Sequence, residues 1–384
     1  MIAESAKALA LMCASGTLMQ TFLASIGFES NLIYIHTVIL QTANVLTMLL
    51  AASWTEHKNP MRCAIWTTLP TALLFLLYLP FAISANASLL SFLLLLAIGA
   101  CQQIFVGLTV VCDYKIPYYI YRADEYGRIT SICGILSSVF CWIAGSLISL
   151  FTGIYGFGRV MTVSFVFCAV LMLIVCLAHF YQKSLIANDK HISFKDDSEK
   201  PISVAGLFRH PDFYRLIPAN LLRGFATGAI GVLAIIALDL EFTEALTVTM
   251  VSVQSIAALI SCAFFAITAN RISPRIALFA GSLGILLLPL MCIKNGLLFL
   301  TLYAVIIFAR TLVDYGVPAM LIKVVPLEIA GPYHAWRMVL QNAGTIVATS
   351  VAAFLPIPVF LILAALCQII AGISFFTIKK SSKQ

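Results

Sequence analysis

Ala52-Ser53-Trp54-Thr55-Glu56-His57-Lys58-Asn59-Pro60-Met61-Arg62 returns, in altered spelling, as Ala266-Ile267-Thr268-Ala269-Asn270-Arg271-Ile272-Ser273-Pro274-Arg275. Both copies read as a small residue, three variable positions, an acid or amide, a base, one variable position, then Asn or Ser followed by Pro. They lie 214 positions apart. A second pair of anchors has nearly the same period. Pro117 precedes Arg128 by eleven residues, Pro326 precedes Arg337 by eleven, and the offset is 209. Two anchors at one period imply a duplicated chain.

The segments between the anchors identify the repeating unit. Of 384 residues, 61% are apolar and only 10% charged, against about 25% charged in a soluble domain. A soluble fold of this size could not cover its core with so little polar surface. Apolar stretches of about 20 residues, each able to cross about 30 Å of hydrocarbon, recur along nearly the whole chain. They predict helices 1 to 6 near 8–28, 32–54, 62–83, 88–112, 128–151 and 158–181. Helices 7 to 12 follow near 214–238, 246–269, 275–293, 296–318, 335–355 and 357–378. Between the sets lies a charged stretch, including Lys195-Asp196-Asp197-Ser198-Glu199-Lys200, too polar to pack. The expected organisation is a six-helix bundle over 1–181, a linker over 182–212 and a second six-helix bundle over 213–384. Because six is even, the two halves run in parallel orientation. The expected fold is an all-α polytopic membrane protein of about twelve transmembrane helices in two six-helix pseudo-repeats.

The net charge of +7 is explained by orientation, without nucleic acid. Nineteen Lys and Arg fall at the N-terminus, in loops after even-numbered helices or at the C-terminus, and only Arg159 and Lys294 fall in loops after odd-numbered ones. The positive-inside rule then puts both termini in the cytoplasm, in a plasma (inner) membrane. Lys7 ahead of an apolar run resembles a signal peptide. The run contains Gln20 and Ser25 and lacks a small-x-small cleavage site, so it reads as helix 1. The eleven cysteines lie almost entirely within spans and include no Cys-x2-Cys pair, so no metal site or cofactor is expected.

The paired loops resemble the signature of the major facilitator superfamily, Gly-x3-Asp-Arg/Lys-x-Gly-Arg-Arg/Lys, found after helix 2 and often after helix 8. Ala52 and Ala266 stand for its first Gly, Glu56 and Asn270 for its Asp, and Asn59 and Ser273 for its second Gly, with Pro60 and Pro274 next. Together with the six-plus-six layout and the basic linker, the resemblance covers essentially the whole chain. It implies two bundles that expose a central site, lined mainly by helices 1, 4, 7 and 10, alternately to each side. Helix 5 departs from the antiporter pattern of the family, which ends in Gly-Pro-x2-Gly-Gly. Here it reads Ser131-Ile132-Cys133-Gly134 through Ala144-Gly145-Ser146, without proline. That disfavours a proton-driven drug exporter.

Charges inside spans are costly and usually face a cavity or a partner. Arg223 lies about ten residues into helix 7, roughly 15 Å deep, and Arg310 reaches similar depth in helix 10. Asp314 is one turn beyond Arg310, at the i,i+4 spacing that lets side chains meet. Two such arginines suit a carboxylate or phosphate. If Asp314 neutralises one of them, a zwitterion or neutral polar solute fits equally well, and Arg310–Asp314 also reads as a self-neutralised structural pair. In the first half, Gln20, Gln102 and Gln103 are the polar candidates, with helix bridging as the alternative. The expected partners are a small solute and the lipid bilayer, with the protein a monomer and any coupling ion left open.

A phosphate loop, Gly-x4-Gly-Lys-Ser/Thr, is absent from the sequence, so ATP-driven pumping would need a partner chain. His191-x4-Asp196 has the spacing of an acyltransferase pair, but lies in the charged linker. The function expected is therefore a secondary active or facilitative transporter of a small polar solute, anionic if the arginines contact it, and not an enzyme. A transporter-like sensor or scaffold is the alternative.

The duplicated loops also predict a cytoplasmic latch. In families with this layout the acid after helix 2 meets the start of helix 11, here Glu56 with Arg337. The helix dipole adds about 0.3–1 kcal/mol for an anion at such an end. The symmetry-related contact joins Arg271 to Asp124 or Glu125. Glu56→Gln should shift the resting population toward inward-open, and Glu56→Arg with Arg337→Glu should partly restore it. Spin labels on the cytoplasmic ends of helices 2 and 11 would report this as a changed distance distribution. An unmoved distribution in both single variants would dispose of the latch.

Overall fold

The computed structural model describes residues 2–14, 16–54, 60–84, 86–120, 123–188, 211–268, 273–321 and 327–376. Among these residues there are helices and turns but no strand. This is the outcome hydrocarbon imposes on a chain that must pair every backbone N–H and C=O within its own segment. The helices in chain order are α1 (Ile2–Ala14), α2 (Thr17–Ile26), α3 (Ser30–Trp54), α4 (Pro60–Leu76), α5 (Leu79–Ser84), α6 (Leu89–Ile120), α7 (Ala123–Tyr155) and α8 (Phe157–Asn188). Then come α9 (Pro211–Gly231), α10 (Leu233–Asp239), α11 (Glu244–Thr268), α12 (Pro274–Ile285), α13 (Gly296–Leu321), α14 (Leu327–Ala352) and α15 (Ile357–Phe376).

Ten apolar segments of these described residues are long enough to cross a membrane, or eleven if the bent pair α9–α10 counts as one span. The sequence predicts about twelve. The span not among them is predicted helix 11, which forms as α14 but carries Arg337, Gln341 and Asn342. Four predicted spans are interrupted. Helix 1 breaks at Gly16 (φ 68°) into α1 and α2, and helix 3 breaks after Leu76 into α4 and α5. Helix 7 bends by 44° between α9 and α10, and helix 9 passes from α12 into a 3-10 turn at Leu288–Cys292, led by Pro289. Glycine and proline account for such breaks in otherwise apolar helices. Gly27 ends α2 in the left-handed region (φ 106°), and its N–H donates to the Ala24 carbonyl, closing orphan acceptors as a C-terminal glycine does.

Several helices outrun their predicted ends. Helix 4 was expected over 88–112 and α6 continues to Ile120. Helix 5 was expected from 128 and α7 starts at Ala123, while helix 11 was expected from 335 and α14 starts at Leu327. Hydropathy locates the edge of the hydrocarbon, but backbone hydrogen bonds carry a helix past that edge into water.

The surface is far more apolar than that of a soluble protein, and the mostly apolar interior also holds polar groups. Leu50, Leu89, Leu297 and Ile83 are exposed, whereas Thr67, Thr68, Thr71, Gln102 and Asn220 are buried. Apolar side chains face lipid, and the buried threonines donate to carbonyls of their own helix, Thr68 to Ala64 and Thr71 to Thr67.

The structure divides into two compact units, Met1–Phe194 with Val232–Ile256, and Lys195–Gly231 with Ala257–Gln384. In the first, α4 packs on α6 and α8, α3 on α6, and α1 on α7 and α8. Its centre holds Tyr78 stacked on Phe165 at 5.0 Å and Phe22 edge-on to the same ring at 5.3 Å. The segment Val232–Ile256 joins this unit through Thr21–Thr247 (3.0 Å), Ser146–Ser252 (3.4 Å) and a Ser30 hydroxyl donating to Asp239. In the second unit, α12 packs on α13 and α15, and α9 on α14 and α15. The pairings repeat between units: predicted helix 3 with 4 and 6, and 9 with 10 and 12; predicted helix 1 with 5 and 6, and 7 with 11 and 12.

The tightest approach in the second unit is α9 on α14. A Cβ at Gly224 would collide with the Gln341 carbonyl, and one at Gly344 with the Leu221 carbonyl. A Cβ at Gly228 would lie 2.8 Å from the Ala348 methyl. Thr345 donates its hydroxyl to the Gly224 carbonyl at 3.1 Å. Small residues four apart on both helices, Gly224 and Gly228 against Gly344 and Ala348, let the backbones meet as lipid-embedded helices do. Gly224→Val and Gly344→Val should therefore each lower the thermal midpoint of the detergent-solubilised protein. The expected cost is about 1–3 kcal/mol or more of overpacking. Gly153→Ala, where a Cβ meets nothing within 4 Å, should leave the midpoint unchanged or slightly raised.

Candidate solute-binding site

The α9–α14 crossing fixes the turn of α9 that carries Arg223, the residue before Gly224. Across from it, α13 presents Arg310 and Asp314, and all three belong to the second unit. Arg223 donates from Nη2 to Asp314 Oδ1, and Arg310 Nε lies 3.5 Å from Asp314 Oδ2. The i,i+4 pairing of Arg310 with Asp314 agrees with their spacing in sequence. The cross-helix bond from Arg223, 91 positions away, is not visible in any local spacing.

Exposure separates the three. The Arg223 side chain is 3% exposed, against 31% for Arg310 and 36% for Asp314. Among the described residues, Nε and Nη1 of Arg223 have no hydrogen-bond partner. A buried donor left unmade costs about 1–3 kcal/mol, more when charged. The cluster carries two positive charges and one negative, so it is one anion short of neutral. Asn220, one turn before Arg223, is also buried, and sequence reasoning passed over it. It also passed over Gly224 with Gly228 and Gly344 with Ala348, although each pair's spacing of four was a usable signal.

The amides of the first unit are engaged between helices. Gln102 Oε1 accepts from the Tyr78 hydroxyl at 3.3 Å, linking α6 to the break between α4 and α5. Gln103 Oε1 and the Gln103 carbonyl each accept from Asn44 Nδ2 at 3.2 Å, linking α6 to α3. Gln20 is buried on α2. Thr109, on α6, donates to Thr67 at 2.8 Å.

Of the latch residues, Glu56 and Arg271 lie outside the described residues, and Asp124 and Glu125 fall in the first turn of α7. Arg337 is buried, and its Nη2 donates to Met338 Sδ at 3.5 Å. Because α14 starts at Leu327, Arg337 stands more than two turns past the helix start, where the dipole has faded. The helix dipole therefore contributes little at Arg337, because the helix begins earlier than hydropathy indicates. Among the described residues, no group of three or more His, Cys, Asp and Glu could hold a metal ion.

No curated protein sequence matches the chain significantly. Among solved structures, a bacterial homologue of the iron transporter ferroportin, crystallised in an outward-facing state with soaked iron, superposes with a TM-score of 0.66. The match covers 97% of this chain and 96% of that one at 12% identity, a likeness of fold. Residues 2–349 match the family model of the Major Facilitator Superfamily. With that match over nearly the whole chain, the protein is a multi-pass membrane transporter belonging to the major facilitator superfamily.

Proposed function

We propose that the protein moves a small anionic solute by alternating access between two six-helix bundles, 1–181 and 213–384, joined by a cytoplasmic linker over 182–212. The supporting observation is the guanidinium of Arg223, buried in an apolar bundle with two nitrogens unpartnered among the described residues and set in a cluster with one excess positive charge. Such a group is expensive to keep unless something completes it, and a guanidinium matches carboxylate and phosphate oxygens in a two-bonded fork. Arg310 and Asp314, each about one-third exposed, form the accessible side of this site. The lysine and arginine distribution supports a plasma (inner) membrane setting with both termini in the cytoplasm.

Flux of radiolabelled anions into liposomes containing the purified protein tests this reading. Arg223→Gln and Arg310→Gln should each reduce flux at least about tenfold, the equivalent of one lost charge-assisted bond, while the protein still purifies as a monodisperse species. Arg223→Lys should recover little, since an ammonium lacks the planar fork. Full flux in both glutamine variants would remove the arginines from the site, and anion binding without any flux would mark a sensor instead.

A further inference from the structure

We propose that Asp314 is a tethered stand-in for the carboxylate of the solute, and that a monocarboxylate takes its place on Arg223 while Asp314 stays with Arg310. The inference rests on the anion-transport reading above and narrows it to monoanionic carboxylates.

The argument starts from which nitrogen Asp314 occupies. A guanidinium offers two forks, one from Nε with Nη2 and one from Nη1 with Nη2, so Nη2 is common to both. Asp314 Oδ1 sits on Nη2 of Arg223, while Nε and Nη1 have no partner among the described residues. One oxygen on one hydrogen of Nη2 therefore completes neither two-bonded arrangement, and Nε and Nη1 stay unmatched. Asp314 cannot rotate to improve this without giving up Arg310, whose Nε holds its other oxygen at 3.5 Å from the same helix. A free carboxylate has no such tether. On displacing Oδ1 it gains Nη2 together with Nε or Nη1, satisfying a donor that is otherwise buried unmade.

Charge then sets the valence. With the site empty of solute, Arg223, Arg310 and Asp314 sum to one positive charge. A monocarboxylate on Arg223, with Asp314 remaining on Arg310, leaves two neutral pairs. A dicarboxylate or doubly ionised phosphate would leave a surplus negative charge beside an apolar wall, which is costly. The exposure gradient fits the exchange: Asp314 is 36% exposed and has room to withdraw toward Arg310, while Arg223, at 3%, is fixed.

The test is binding to the full-length detergent-purified protein by thermal shift and equilibrium titration, with acetate, lactate and benzoate as monocarboxylates and succinate and inorganic phosphate as comparators. Wild type should bind at least one monocarboxylate about tenfold or more tightly than either comparator. Asp314→Asn removes the tethered competitor and one negative charge. It should tighten monocarboxylate binding about tenfold and shift preference toward succinate and phosphate, a selectivity change that a purely structural role would not produce. Arg310→Gln should weaken monocarboxylate binding, because Asp314 then has only Arg223 to hold.

Equal or weaker monocarboxylate affinity in Asp314→Asn, with binding still lost in Arg223→Gln, would overturn the exchange and leave anion transport standing. Absence of binding by any anion to wild type, or binding unaffected by Arg223→Gln, would overturn both. If Asp314→Asn does not fold, the wild-type valence profile decides. Preference for succinate or phosphate over every monocarboxylate refutes the proposal, and the reverse preference upholds it.

Discussion

A guanidinium inside hydrocarbon needs a counter-charge at close range, and the position of Arg223 shows how the fold supplies one. Two unit charges 4 Å apart attract by about 1 kcal/mol in water and about 4 kcal/mol at an effective dielectric of 20. The bond from Arg223 to Asp314 thus becomes more valuable as water is excluded. Its geometry depends on backbones more than on side chains. Arg223 precedes Gly224, which lies against the Gln341 carbonyl, and Thr345 ties that same glycine's carbonyl to α14. A wider crossing of α9 and α14 would move the guanidinium away from α13. The ion pair and the glycine crossing therefore act as one device: small residues permit the approach, and the approach fixes the charge.

The first unit meets the same constraint differently. Several of its buried polar groups are neutral and pair between helices, as Thr109 does with Thr67, Tyr78 with Gln102, and Asn44 with Gln103. Interhelical bonds of this kind are modest in membranes, averaging about 0.6 kcal/mol in measured cases. They set helix register without requiring an external partner.

Much of the fold was legible because lipid imposes a strong pattern. Twenty-residue apolar stretches gave the class and the span order, while most of the charged linker, 189–210, lies outside the described residues. The paired loops at 52–62 and 266–275 gave the repeat, and the repeated helix pairings agree with it. Helix ends were misread at α6, α7 and α14, because hydropathy reports the membrane edge and a helix is held by its own hydrogen bonds. The four breaks lie at or beside Gly16, Pro80, Gly231 and Pro289, residues that disrupt helices, but an apolar run long enough to span reads as continuous across them. In the candidate site, the Arg310–Asp314 spacing was readable and the Arg223–Asp314 bond was not. Contacts between residues 91 positions apart depend on helix crossing, which local periodicity does not encode.

Duplication also shows where the site departs from its scaffold. At the 209-residue offset that aligns the Pro117–Arg128 and Pro326–Arg337 anchors, Arg310 falls opposite Cys101 and Asp314 opposite Phe105. Neither charge has a charged counterpart in the first half, although the helices that carry them, α6 and α13, occupy equivalent places in the packing. The scaffold is symmetric and the ionic cluster is not. A two-fold architecture alone would give two similar polar cavities. On the proposed anion-transport reading, the charges on α9 and α13 give that copy an electrostatic preference for anions, whereas α6 presents hydroxyl and amide groups at the equivalent place. The charges that set this half apart are stable in hydrocarbon because Asp314 joins α13 to α9, a helix that the glycine crossing already holds in register.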